Sequence, residues 1–166
     1  MRRRSVIGRL RTRFVWIILL AGTSSIFLLA LLPPFLPAGI QDVVRRCFAP
    51  VCHQLPGRSF HIGSVPIAIC DRCSGIYLGL VLGVAITGWR RSVWTALGRH
   101  GRYLLLGSLV PLGLDWIAPF LGLWKNGPLS RALTGLLFGS VAAGYVTDRV
   151  LRKVARTTSP EDSKHS

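Results

Sequence analysis

The stretch Cys70-Asp71-Arg72-Cys73-Ser74-Gly75-Ile76-Tyr77-Leu78-Gly79-Leu80-Val81-Leu82-Gly83-Val84-Ala85-Ile86-Thr87-Gly88-Trp89 decides the fold. After Arg72 it carries no charge until Arg90. A helix that packs on a soluble core keeps a polar face. This one has almost none, so its natural solvent is a bilayer. Gly75, Gly79 and Gly83 recur at every fourth position, which puts them on one helix face and makes a groove for close helix contact.

Three other apolar blocks surround this one. Phe14–Leu32 has 19 uncharged residues and ends at Pro33-Pro34. At about 1.5 Å per residue it covers roughly 30 Å, the thickness of the hydrocarbon core. Its length, and the lack of an A-x-A cleavage site after it, make it a retained signal-anchor rather than a secretory leader. Tyr103–Trp124 is the third block, interrupted by Pro111 and Pro119. Leu129–Val150 is the fourth, where Gly135, Gly139 and Ala143 repeat the four-residue spacing. Pro50, Pro56, Gly57, Gly63 and Pro66 break the segment 38–69 into a loop that cannot span. The expectation is an all-α integral membrane protein with about four transmembrane helices, near 14–32, 70–89, 103–124 and 129–150, paired as two helical hairpins. They form one membrane domain, 14–150, between a basic N-terminal segment, 1–13, and a basic, polar tail, 151–166, disordered from Thr157 onward.

Charge orients the spans. Half of the chain is hydrophobic and 16% is charged, yet the net charge is +15. The segment before Phe14, the loop 90–102 and the segment from Arg149 hold 15 of the 21 basic residues, all on one side of a four-span arrangement. By the positive-inside rule that side is cytoplasmic, with both chain ends there and the loop 38–69 outside a plasma membrane. Trp89, Tyr103 and Trp124 fall at block ends, where interfacial aromatics belong. A soluble protein with this charge would suggest nucleic acid. Here the arginines flank apolar blocks and carry neither interleaved aromatics nor a DNA-reading motif, which excludes that partner. The partner read from the sequence is the lipid bilayer, and the glycine stripes (Gly75, Gly79, Gly83; Gly135, Gly139) also offer a surface for a homo-oligomer. Ser74-Gly75-x3-Gly79 matches Thr134-Gly135-x3-Gly139 at an offset of 60, a faint sign of two duplicated hairpins.

The chemistry lies in the outer loop and the start of the second block. All four cysteines, Cys47, Cys52, Cys70 and Cys73, fall there. Cys70 and Cys73 share a face of the first helical turn, where the helix dipole and Arg72 favour thiolate. Cys52, Cys70 and Cys73 with His53 or His61 form a ligand set suited to zinc or copper. The same cysteines also fit structural disulfides or thiol–disulfide exchange. Arg58, Ser59 and Arg72 could meet an anion or a lipid phosphate. Asp115 reads as an acid near mid-membrane, with Arg131 as its nearest basic partner by depth; a carboxylate there marks function by default.

The run Cys52-His53-Gln54-Leu55-Pro56-x-Arg58-Ser59-Phe60, followed by Cys70-x-Arg72-Cys73-x-Gly75-Ile76-Tyr77-x-Gly79, resembles the signature of an uncharacterised family of small prokaryotic membrane proteins with a domain of unknown function. Asp115 and Arg131-x2-Thr134-Gly135-x3-Gly139 resemble its second block, so the resemblance covers roughly Cys52 to Gly144. It implies a multi-pass membrane protein and leaves Cys47 outside the motif. A glutamine expected in the loop after the aspartate is absent. The family implies no activity. The architecture is also similar to quinone-linked membrane thiol oxidases, but those use a second reactive cysteine pair, and this chain has no cysteine beyond Cys73. Metal binding or metal-linked transport, with zinc or another transition metal, is therefore the expected function. Thiol redox chemistry and a scaffold or lipid-binding role with structural disulfides are the alternatives.

Overall fold

The computed structural model of the protein describes residues 2–90, 100–123 and 125–157. Their architecture is helical: α1 (Arg2–Leu31), α2 (Ala38–Phe48), α3 (Asp71–Trp89), α4 (Gly101–Ile117) and α5 (Pro128–Arg156). A two-residue antiparallel hairpin, His61–Ile62 with Val65–Pro66, is the described β-structure. Among the described residues, three helical stretches are long and apolar enough to cross a membrane: Gly8–Leu31 within α1, α3, and α5. The basic segment 91–99, Trp124 and the tail 158–166 lie outside the described residues, and with them the parts of the loop, block-end and tail expectations that fall there.

The helices start and stop for local reasons. α1 runs back through the basic segment to Arg2, because arginine is a good helix former. It stops where Pro33 and Pro34 remove backbone donors and restrict the residue before them. α5 opens on Pro128, favourable at a first helical position, and continues past Val150 to Arg156. Asp148 and Arg152, 2.7 Å apart at i,i+4, and the basic last turn support that extension.

Two expectations are corrected here. The loop 38–69 contains α2, which places Gln41, Val44, Arg45 and Phe48 on one inward stripe, the i, i+3, i+4, i+7 spacing of an amphipathic helix. Judging the segment only by its ability to span hid a helix too short and too polar to do so. The third block is shorter than 103–124. α4 has 17 residues and ends at Ile117, with turns leading through Pro119 to Gly122, which adopts φ +67°, a conformation open to glycine.

α3 and α5 form the main seam and run side by side in the same direction. Gly75 faces the backbone of Ala132, and Gly135 faces the backbone of Arg72. Gly79 lies against Leu136, and Gly139 against Ile76. Each contact maps onto the other when 60 is added to the α3 number, so the two helices meet through equivalent surfaces, as an isologous interface does. The two glycine stripes thus face each other within one chain. α1 joins the pair near the other end of α3: Trp16 donates its Nε1–H to the carbonyl of Val84 at 2.8 Å and packs on Gly88.

Candidate functional site

A small apolar core holds the outer loop over the start of α3. Ala30, Val44, Phe48, Cys52, Ile67, Ala68 and Ile69 are buried together, with Cys73 and Tyr77 against them. The Phe48 and Tyr77 rings meet edge-on, with centroids 6.1 Å apart. Backbone and side-chain bonds lock the wrap. Ala68 N–H donates to Ala30 at 3.0 Å, Arg45 reaches the Pro66 carbonyl at 2.9 Å, and Gln54 donates to the Arg45 carbonyl at 2.6 Å.

This wrap brings Cys52 onto Cys70 and Cys73. The three Sγ atoms lie within 4.8 Å of one another, and all three thiols are free. Cys70 is the residue that precedes α3, and Cys73 is in its first turn. Cys52 follows the end of α2, its N–H bonded to the Phe48 carbonyl. Gln54 then adopts φ +48°, a left-handed conformation costly for a residue with a side chain. The Cys52 thiol is pushed well below its ordinary value, first by side-chain hydrogen bonds from Cys70 and then Cys73, with backbone N–H groups of Cys70 and Gln54 adding to them against the opposing effect of burial. The Cys70 N–H lies 3.2 Å from this sulfur. Donors that converge on a sulfur stabilise thiolate, the form that binds metals and attacks disulfides.

The remaining residues singled out from the sequence divide. Cys47 is exposed on α2 and stands outside the trio. His53 and His61 are exposed, and among the described residues neither brings a ring nitrogen into the group of three sulfurs. The Ser59 hydroxyl is buried and donates to the Leu55 carbonyl, while Arg58 is exposed.

Asp115 faces the first turn of α3. Because α4 ends at Ile117, this acid lies in its last turn, level with the first turns of α3 and α5, and is 1% exposed. Its basic partner is Arg72, at 2.6 Å, rather than Arg131. Ser130 donates to the other carboxylate oxygen, and Asn126 donates to the Asp115 carbonyl at 2.6 Å. Arg131 instead lies 3.6 Å from Asp71 and grips Asn126 through Nε and Nη2. Depth alone could not separate two arginines at the same level. Asn126 and Ser130 were missed; the signal for them was the run Asn126-Gly127-Pro128, which leads into α5 beside the acid.

The trio opens on a cleft of about 620 Å³. Its walls include Val51, Leu55, Trp116, Pro119 and Phe120, with His53, Arg58, Arg72, Arg131 and Asn126 as polar members. The Trp116 and Phe120 rings lie 5.2 Å apart and form the outer wall.

A helical membrane protein with a free three-thiol centre at one end of its main helix pair is the class that these features define. Residues 52–145 match the model of a family described as "Predicted membrane protein (DUF2085)". The match covers more than half of the chain, which belongs to that family. The chain is also similar to an uncharacterised protein of Methanocaldococcus jannaschii, 30% identical over 107 residues that cover 64% of this chain and 68% of that protein. No solved structure matches. The matched segment holds the three clustered cysteines, both ion pairs of α3 and both glycine stripes, and it starts after Cys47.

Proposed function

We propose that this chain is a four-span plasma-membrane protein that binds a transition metal ion through Cys52, Cys70 and Cys73 on the extracytoplasmic side. The observation that carries the reading is the convergence of three free thiols, from two distant segments, within 4.8 Å. Three sulfurs cannot all pair with one another, and Cys47 is exposed outside their group, so two structural disulfides do not fit this arrangement. A metal uses all three. With a metal–sulfur bond of about 2.3 Å, a trigonal arrangement sets sulfurs about 4.0 Å apart, inside the observed limit.

The orientation rests on the basic bias, with both ends cytoplasmic. α4, at about 25 Å of helix, is the fourth span and pairs with α5 as α1 pairs with α3. The exposed leucines, valines and isoleucines on α1, α4 and α5 suit contact with lipid. Beneath the trio, α3 and α5 touch backbone to backbone, which leaves no room for an ion between them. That favours capture of metal at the outer face over conduction through this seam.

A second reading has one observation of its own. Cys52 contacts both members of the Cys70–Cys73 pair and carries a lowered thiol pKa, as an attacking thiolate would. Metal content and free-thiol count on protein purified in mild detergent separate the two. One metal per chain, lost in Cys52→Ser, Cys70→Ser and Cys73→Ser and kept in Cys47→Ser, is the expected result. A metal-free protein with a reducible Cys70–Cys73 bond would select the redox reading instead.

A further inference from the structure

We infer that the centre takes a soft monovalent d10 cation, copper(I), in a three-coordinate all-sulfur site, an assignment that rests on the metal-binding reading above. The donor count comes first. Among the described residues no imidazole or carboxylate joins the three sulfurs, and the histidines closest in sequence, His53 and His61, are exposed. Structural zinc is bound by four protein ligands, so three sulfurs leave that ion one short. Soft thiolate donors select copper(I) among first-row ions.

The surroundings supply the second argument. Zinc with three protein ligands keeps a water in the fourth position. Such a water must donate hydrogen bonds to acceptors beside it. The cleft that faces the trio offers Val51, Leu55, Trp116, Pro119 and Phe120, which accept nothing useful, Arg58, Arg72 and Arg131, which only donate, and one imidazole, that of His53, which is exposed and stands outside the sulfur group. The side-chain oxygen of Asn126 already accepts from Arg131. A three-coordinate cation needs no such water.

Charge is the third argument. One monovalent ion on three thiolates leaves a net charge of about −2 at the centre, against −1 for zinc. Three guanidinium groups line the same cleft, and Arg58 among them has no carboxylate partner in the described ion pairs. The first turn of α3, at the positive end of its dipole, presents Cys73. Arg72 and Arg131 offset Asp115 and Asp71, so Arg58 and the helix dipole supply the positive charge left to meet the anionic centre.

The test uses the full chain in mild detergent, without oxygen and with reductant, loaded with copper(I) or with zinc(II) as separate probes. Absorption-edge spectroscopy of the copper-loaded protein should give a single shell of three sulfurs, with no nitrogen or oxygen. Competition against a chromophoric copper(I) chelator should give one site per chain, from which a thousandfold excess of zinc(II) does not displace the copper. A copper shell that contains nitrogen or oxygen, or zinc held as well as copper with a fourth non-sulfur ligand, would overturn the assignment while leaving a metal site in place. Binding of neither ion would overturn both the assignment and the metal-binding reading. The wild-type spectrum carries the result, so a cysteine variant that fails to fold does not compromise it.

Discussion

Alanine at Gly79 tests the seam on which the site is built. A methyl there would sit 2.5 Å from the Leu136 carbonyl oxygen and 2.8 Å from the Ser140 nitrogen, both backbone atoms that cannot rotate aside. To bring the first distance to an ordinary 3.4 Å, α3 and α5 must part by about 0.9 Å. A gap of that size forfeits roughly a quarter to a half of each contact's dispersion energy along the seam. Overpacking of this kind costs about 1–3 kcal/mol. The same substitution at Gly113 of α4 meets nothing within 4 Å. There it should gain the helix preference of alanine over glycine, about 0.5–1 kcal/mol. Thermal unfolding in one detergent, followed by circular dichroism, compares the two. Gly79→Ala should lower the midpoint by roughly 2–12 °C, and Gly113→Ala should leave it unchanged or raise it by a few degrees. Equal shifts, or a stabilised Gly79→Ala, would refute the backbone contact between α3 and α5.

Asp115→Asn should destabilise by about 3–5 kcal/mol, because it strands the Arg72 guanidinium 2.6 Å away; the double variant Arg72→Met, Asp115→Leu should recover much of the loss, and a double variant no better than the single would count against a buried pair. Reporter fusions after Trp89 and after Arg156 should read cytoplasmic and one at Gly57 external; a cytoplasmic reading at Gly57 inverts the topology and moves the trio to a reducing compartment. The donors around Cys52 favour its thiolate, so that part of its stability is present above the ordinary thiol value, near 8.5, and fades as pH falls through its own lower value. Metal loading at pH 7 should accordingly release fewer than three protons from the three cysteines, measured in weakly buffered solution; release of all three would show that Cys52 begins as a thiol.

Reading by residue pattern went far because lipid imposes simple rules. Uncharged runs long enough to span, glycines at every fourth position and arginines at block ends report on the membrane without any tertiary information. The family motif marked Cys52, Cys70 and Cys73 and left Cys47 aside, as the structure also groups them. The sequence by itself therefore determined a helical membrane protein, its apolar helices and the thiols worth attention. Only the tertiary structure decided the rest. It set α2 over the start of α3, because the partners that bury Val44 and Phe48 come from distant segments. It gave Asp115 to Arg72 and Asp71 to Arg131, a choice among charges at equal depth that only side-chain geometry makes. It kept the histidines out of the sulfur group: Cys52 is buried while the adjacent His53, like His61, is exposed. Periodicity is a one-dimensional signal and survives in a sequence; the meeting of residues 18 positions apart is a fact of packing.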